Sequence, residues 1–326
     1  MADNLNYNES RKQYAFATVK EDAWHHKGQI VANKMTSKEA IIAANLDYEV
    51  FKANLYTGDG LRIETHFANI RKDTNDILGV VGKNYSILQN TECFEFFDNV
   101  IGEGQAVFET AGALGKGEII FITAKLEGVL KIIGDNSPIE NYICFMSSHN
   151  STYPVTAFFT GIRVVCNNTL NAAMNKCINK ITIRHTLNAK SKFDQAAKVM
   201  GLNTEYTNTL QEALNHLSSI PISDRRAKEL ISRSLMSHDE LKALVTDNNV
   251  DFSIRKNNMI KEIYHYYMTA DNIDPIRGNA YGLYNGITGF YQNQKSFKDD
   301  DKKMLSIIDG YAYNHQNRMF SLLQKE

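Results

Sequence analysis

The side chains best suited to chemistry in this sequence are six cations in a stretch that has no carboxylate. Between Asn141 and Phe193 the chain contains 53 residues and no Asp or Glu, although the average for the whole chain predicts about six. The cations of this stretch are Arg163, Lys176, Lys180, Arg184, Lys190 and Lys192. Depletion of one sign of charge creates a local positive field that attracts anions, including the phosphates of nucleic acids.

The elements that position these cations are predicted from the spacing of apolar residues. Apolar side chains recur at helical spacing from about Asn168, at Leu170, Met174, Cys177 and Ile181. Asn171, Asn175, Lys176 and Lys180 then lie on the polar side of this predicted amphipathic helix. Burial in a strand-rich core is the other explanation for missing charge. It accounts for residues 141–162, but not for 175–192, where cations persist.

Net charge divides unevenly along the chain, although the total of 36 basic and 37 acidic residues is nearly neutral. Residues 1–140 have 14 basic and 20 acidic side chains, a net charge of −6, whereas residues 141–193 have six basic and none acidic. Residues 194–326 have 16 basic and 17 acidic, a net charge of −1. If the acidic and basic segments form separate surfaces, the acidic surface of one copy can meet the basic surface of another. The charge pattern therefore predicts self-association and binding of an anionic ligand.

The pattern of elements predicts an α+β fold with a central antiparallel sheet. We expect strands at 77–88, 105–111, 118–126, 141–147 and 153–165, a short helix at 91–101, and a glycine-rich hairpin turn at 112–117. After residue 191 the chain reads as mostly helical, with N-caps at Ser223 and Ser237. The predicted organisation is an α+β core domain over 1–194 and a helical region over 195–326. This boundary is soft, and one continuous domain fits the sequence equally.

Several classes of function are excluded or disfavoured by missing motifs. No signal peptide or membrane-spanning run is present, so we expect a cytoplasmic protein. The glycine clusters do not fit a P-loop or a dinucleotide fingerprint, and the sequence predicts no cofactor, no metal and no catalytic residue. The cysteines read as reduced core residues. The alternative is a Cys/His or metal site formed from His149, Cys166 and His185. Glycines at 278, 282 and 286 predict either core packing or a surface for stacking or self-association.

The segment TGIRVVCNNTL at 160–170 resembles a large phage- and plasmid-encoded protein family of unknown function. Further similar segments are VGKNY at 81–85, ETAGAL at 109–114, SH at 148–149, RHT at 184–186 and AYGLYN at 280–285. The resemblance covers residues 20–295. It departs from the family where Asn150-Ser151 stands in place of Asp-Gly. The order of elements is also similar to that of the single-strand annealing proteins of phage recombination, which bind DNA as rings or filaments.

These observations lead to one principal hypothesis and two alternatives. The principal hypothesis is a single-stranded-DNA-binding protein of a phage or plasmid that acts in annealing as a homo-oligomer. Its DNA-binding residues would be Arg163, Asn171, Asn175, Lys176, Lys180, Arg184, Lys190 and Lys192. The first alternative is an interaction module that docks on a host protein, for example an inhibitor of a defence enzyme. The second alternative is a metal- or Cys/His-dependent hydrolase.

Overall fold

The computed structural model has the predicted α+β architecture, with sheets in the N-terminal half and helices in the C-terminal half. It describes residues 5–19, 28–31, 35–101, 106–163, 168–170, 180–189, 191–192, 203–247 and 252–326. The strands are β1 (Tyr7–Asn8), β2 (Gln13–Tyr14), β3 (Phe16–Thr18), β4 (Gln29–Ile30), β5 (Val50–Tyr56), β6 (Arg62–Arg71), β7 (Ile77–Gly82), β8 (Ala106–Leu114), β9 (Ile119–Leu130), β10 (Ile139–Ser148), β11 (Val155–Arg163), β12 (Asn168–Leu170) and β13 (Lys180–Ile183). The helices are α1 (Ser37–Ala43), α2 (Asn90–Ile101), α3 (Asn203–Ser219), α4 (Asp224–Leu235), α5 (His238–Asp247), α6 (Ile254–Thr269), α7 (Ala280–Gly289), α8 (Asp300–Asp309) and α9 (Tyr311–Leu323).

The chain forms two compact units. The first consists of residues 1–127, 142–159 and 178–203, and the second of residues 128–141, 160–177 and 204–326. Among the helices that the structure describes, none combines the length and apolar composition needed to cross a membrane.

Eight strands form the main sheet, in the order β12-β11-β10-β9-β8-β3-β4, with β13 also paired to β11. The β8–β9 pair is the predicted glycine-turn hairpin, but the strand extends to Leu114 and so includes part of the predicted turn. Gly115 and Gly117 adopt φ values of +64° and +102° in the turn itself, a region that only glycine occupies at little cost. Strand β10 is buried along most of its length because both of its faces are covered.

A second sheet contains only β5, β6 and β7, in that order. No residue from Phe51 to Phe67 is buried, so the β5–β6 hairpin extends as an arm into solvent. Arg71 anchors the base of this arm and is 1% exposed. Its guanidinium donates to both carboxylate oxygens of Asp73, at 2.7 and 3.1 Å, and stacks 3.8 Å from the ring centroid of Tyr48. The anchor is therefore a buried charge that is ion-paired and hydrogen-bonded.

The helix predicted from Asn168 is wrong at both of its ends, where the structure has strands. Asn168–Leu170 is strand β12 and Lys180–Ile183 is strand β13, and each pairs antiparallel with β11. The β-branched run Ile181-Thr182-Ile183 favours a strand, and pairing with β11 satisfies its backbone groups, which outweighs helical spacing over so few apolar residues. Residues 171–179 lie outside the described residues.

Helix α7 forms the centre of the second unit, and all ten of its residues are buried. A β-carbon on Gly282 would lie 1.9 Å from the Ile276 carbonyl oxygen, and one on Gly286 would lie 3.0 Å from Tyr267. The glycines thus permit close packing in the core, as one of the two interpretations predicted, and they do not form an exposed stacking surface. Gly278 precedes the helix, with a φ of +92°.

Candidate functional site

The predicted DNA-binding residues fall partly within the described residues. Arg163 is the last residue of β11, in register with Asn168. Lys180 begins β13 opposite Phe158 and is half-buried, whereas Arg184 and Lys192 are exposed. The remaining four residues lie outside the described residues: Asn171, Asn175, Lys176 and Lys190.

The backbone that follows β13 lies against the loop that follows β7. Ser86 N donates to the His185 carbonyl at 3.0 Å, so the backbone segments that contain the exposed Lys83 and the exposed Arg184 are in contact. Lys52 reaches the same loop, where its ammonium donates to the Lys83 carbonyl at 3.2 Å and to that of Tyr85. Sequence reasoning missed Lys83 and Lys52 because they lie about 100 residues or more before Arg184, in the acidic part of the chain.

The cations at this surface differ from others in the same unit in their ionic partners. Lys72 pairs with Glu49 at 2.7 Å, and Lys116 pairs with Asp76 at 3.6 Å. Within the described residues, no carboxylate forms an ion pair with Lys83, Arg184 or Lys192. We call Lys83 and Arg184, whose backbone segments are in contact, the unpaired cation cluster. The positive field of an exposed cation without an ion pair is not offset by a neighbouring carboxylate, so the cation is available to bind an external anion.

Beneath this loop lies a histidine, His149, that is fully buried. Its ring Nε2 lies 2.9 Å from Asn90 Oδ1, and Asn90 Nδ2 donates to the Leu46 carbonyl at 2.8 Å. Because Asn90 Oδ1 can only accept, the Nε2 atom of His149 carries a proton and donates it to Asn90. Burial, and secondarily the charges of His185 and Arg71, lower the pKa of His149 to about 3.

The second buried histidine, His185, contacts Tyr85 in the loop after β7 and Ser147 in β10. Its ring stacks on Tyr85, with a centroid distance of 4.8 Å, and its Nε2 lies 3.4 Å from Ser147 Oγ. The Tyr85 hydroxyl donates to the Ser148 carbonyl at 2.7 Å. Burial lowers the pKa of His185 to about 4, so this ring is also neutral at physiological pH.

The histidine pair positions backbone and does not resemble a reactive centre. Burial raises the pKa of the neighbouring Cys93 thiol to about 12, which keeps it protonated and a poor nucleophile. In the described part of the chain, no three His, Cys, Asp or Glu side chains are close enough to hold a metal ion. Cys166, the third member of the alternative Cys/His site, lies outside the described residues. That site therefore stays a prediction.

The arrangement joins segments that are distant in sequence but that all belong to the resemblance. Tyr85 ends the VGKNY segment, His149 belongs to the SH segment, and His185 belongs to the RHT segment.

A family model described as a domain of unknown function, DUF932, matches residues 77–308. The chain belongs to this family. The DUF932 match includes both buried histidines and both members of the unpaired cation cluster. It begins at β7 and so excludes the β5–β6 arm. No curated protein and no solved structure matches the chain.

Proposed function

We propose that this DUF932 protein binds single-stranded DNA through its phosphates, without reading sequence, and promotes annealing of complementary strands. The observation that supports this best is the unpaired cation cluster, which lies at a surface formed in part by the acid-free segment 141–193. The proposal also assigns phosphate contacts to the other predicted cations of that segment, including Lys176 and Lys190. The protein would act as an oligomer in the cytoplasm of a cell that carries the phage or plasmid.

The mechanism requires only positive charge and an open surface. Each cation that contacts a phosphate releases condensed counterions, and this release drives binding independently of base identity. Contacts confined to phosphate and sugar leave the base edges free, so a second strand can pair with them. Asn171 and Asn175 would add hydrogen bonds to phosphate or sugar. Such a process needs neither a cofactor nor a catalytic carboxylate.

The test is a fluorescence-anisotropy titration of a labelled oligonucleotide at several salt concentrations. For single strands the slope of log K against log salt is about −0.7 per phosphate contact, so the six cations of the acid-free segment predict a slope of about −4. The double variant R184Q/K192Q should reduce the magnitude of the slope by about 1.4. Annealing is then followed by energy transfer between two complementary labelled strands, which the protein should accelerate.

The matched control is K72Q/K116Q, because it removes the same charge from paired cations of the same unit. This control should leave the slope unchanged. No binding at low salt, an affinity that does not change with salt, or an equal loss in both double variants would contradict the proposal.

A further inference from the structure

Strand β5 has one edge paired with β6 and one edge that is open. The Glu49 carbonyl accepts from Lys72 N at 2.9 Å, so Glu49 faces the β6 side. Because backbone direction alternates along an antiparallel strand, the N–H and C=O groups of Val50, Lys52 and Asn54 point to the other edge. In the described chain only Val50 has partners on that edge.

The partner of Val50 is the side chain of Gln89, which takes the place of a neighbouring strand for one residue. Gln89 Oε1 accepts from Val50 N at 3.0 Å, and Gln89 Nε2 donates to the Val50 carbonyl at 2.7 Å. The edge is therefore closed at Val50 and open from Lys52 onward.

The open edge lacks two of the devices with which proteins prevent strand pairing, although the β5–β6 register shifts between Asn54 and Leu55. Projecting lysines and prolines are the common ones, and β5 has no proline. Its lysine, Lys52, is turned away from the edge. The Lys52 ammonium donates to the carbonyls of Lys83 and Tyr85, and it lies 5.3 Å from the ring centroid of Phe67.

We infer that β5 pairs antiparallel with β5 of a second copy of this chain, about a two-fold axis at Ala53. In this register Lys52 exchanges backbone hydrogen bonds with Asn54 of the partner subunit, and the symmetric pair does the same. Ala53 faces its own counterpart, where a small side chain fits the close spacing of a non-hydrogen-bonded pair. Phe51, which is 43% exposed, packs beside Leu55 of the partner subunit.

The chemistry of the arm favours a second copy over a charged polymer. Residues 51–67 contain two cations, Lys52 and Arg62, and two carboxylates, Asp59 and Glu64, so their net charge is zero. In the Ala53 register no charge lies directly opposite a like charge, and apolar side chains meet on one face. The two copies of Lys52 are diagonal neighbours, but each ammonium is held by the carbonyls of Lys83 and Tyr85 in its own subunit. An interface built from one surface meeting itself is the usual form of a two-fold dimer. This inference goes beyond DNA binding and does not depend on it.

The first measurement is the molar mass in solution without DNA, by light scattering after size exclusion. The expected mass is twice the 36.9 kDa of one chain, with dissociation on dilution. The variant N54P should be monomeric with an unchanged circular-dichroism spectrum, because the lost N–H lies on the open edge and not in the β6 ladder. A wild-type monomer at every concentration, or a folded N54P that remains dimeric, would overturn the inference.

The second measurement locates the axis by cysteine cross-linking. Opposed residues at the axis have Cα atoms about 4.5 Å apart, within the range that a disulfide spans, so A53C should form a covalent dimer under mild oxidation. D59C, at the exposed tip, is the control, because copies of a residue three or more positions from the axis lie about 20 Å or more apart. Cross-linking of A53C less than tenfold above D59C and wild type would contradict the Ala53 register.

Discussion

Acid should destabilise the first unit through His149 and His185, and the structure gives the sign and size of the effect. Both rings are buried and neutral, with pKa values of about 3 and 4 against 6.5 for an unperturbed histidine. A group whose pKa is lowered by folding binds more protons in the unfolded state. Stability is therefore full above pH 6.5 and is lost as pH falls from there toward the folded-state values.

The magnitude follows from the proton linkage. Between pH 7 and pH 5 each of the two histidines costs about 2 kcal/mol of unfolding free energy, since one pKa unit corresponds to about 1.4 kcal/mol. The pair together costs about 4 kcal/mol, which is a large part of the 5–15 kcal/mol typical of a folded protein.

The assay is urea unfolding followed by circular dichroism at pH 7, 6 and 5. In the double variant H149Q/H185F the Gln amide retains a donor toward Asn90 and the Phe ring retains the stack on Tyr85. This variant should lose about 4 kcal/mol of the pH dependence, whatever its stability at pH 7. The exposed His66 provides the control variant H66Q, which should follow the wild type. If the double variant loses as much stability on acidification as the wild type, the reasoning is wrong.

Two further substitutions test the packing that supports the two units. G282A places a methyl group against the Ile276 carbonyl and should lower the unfolding free energy by about 1–3 kcal/mol, whereas G58A, in open space, should change it little in the same denaturation assay. R71A removes a buried side chain and leaves Asn6 Oδ1 and the Lys116 carbonyl without their donor, so it should cost about 2–4 kcal/mol, seen as a lower urea midpoint. A midpoint for R71A within error of the wild type would show that the anchor of the arm contributes nothing.

Periodicity predicted the parts of the fold in which one face is buried. Helix α2 lies at Asn90–Ile101, close to its predicted bounds, because its apolar residues recur at helical spacing. The capping box at Ser237 is also confirmed, with Glu240 N donating to Ser237 Oγ at 3.2 Å and Ser237 N donating to Glu240 Oε2 at 2.6 Å. Apolar spacing and capping residues were enough to predict these features, because contacts between residues close in sequence determine them.

The β5–β6 arm was missed although part of its pattern was present. Phe51–Leu55 alternates apolar and polar residues as a strand does, but five residues are a short signal, and no residue from Phe51 to Phe67 is buried. The helix predicted from Asn168 was wrong at its two ends, Asn168–Leu170 and Lys180–Ile183, because helical spacing of apolar residues was weighted above the β-branched run in β13. Pairing with β11, a distant segment, decided the outcome.

The candidate site was predictable in its charge but not in its geometry. Counting acidic residues along the chain singled out Arg184 and Lys192, because a field depends on composition over a segment. The proximity of Lys83 to Arg184 depends on the contact between the Ser86 and His185 backbones, about 100 residues apart, and no local pattern encodes it. The one available signal was the resemblance, since its segments contain Tyr85, His149 and His185.

The burial of helix α7 on every side has a consequence for how the second unit loses its structure. The helix rests on Tyr267 of α6 through Gly286, and on Phe320 of α9 through Tyr284, with the two rings 5.3 Å apart. An outer helix that detached would uncover part of α7, and its apolar surface would then face water. The outer helices therefore have little freedom to melt separately, and the helical unit should unfold as one cooperative body.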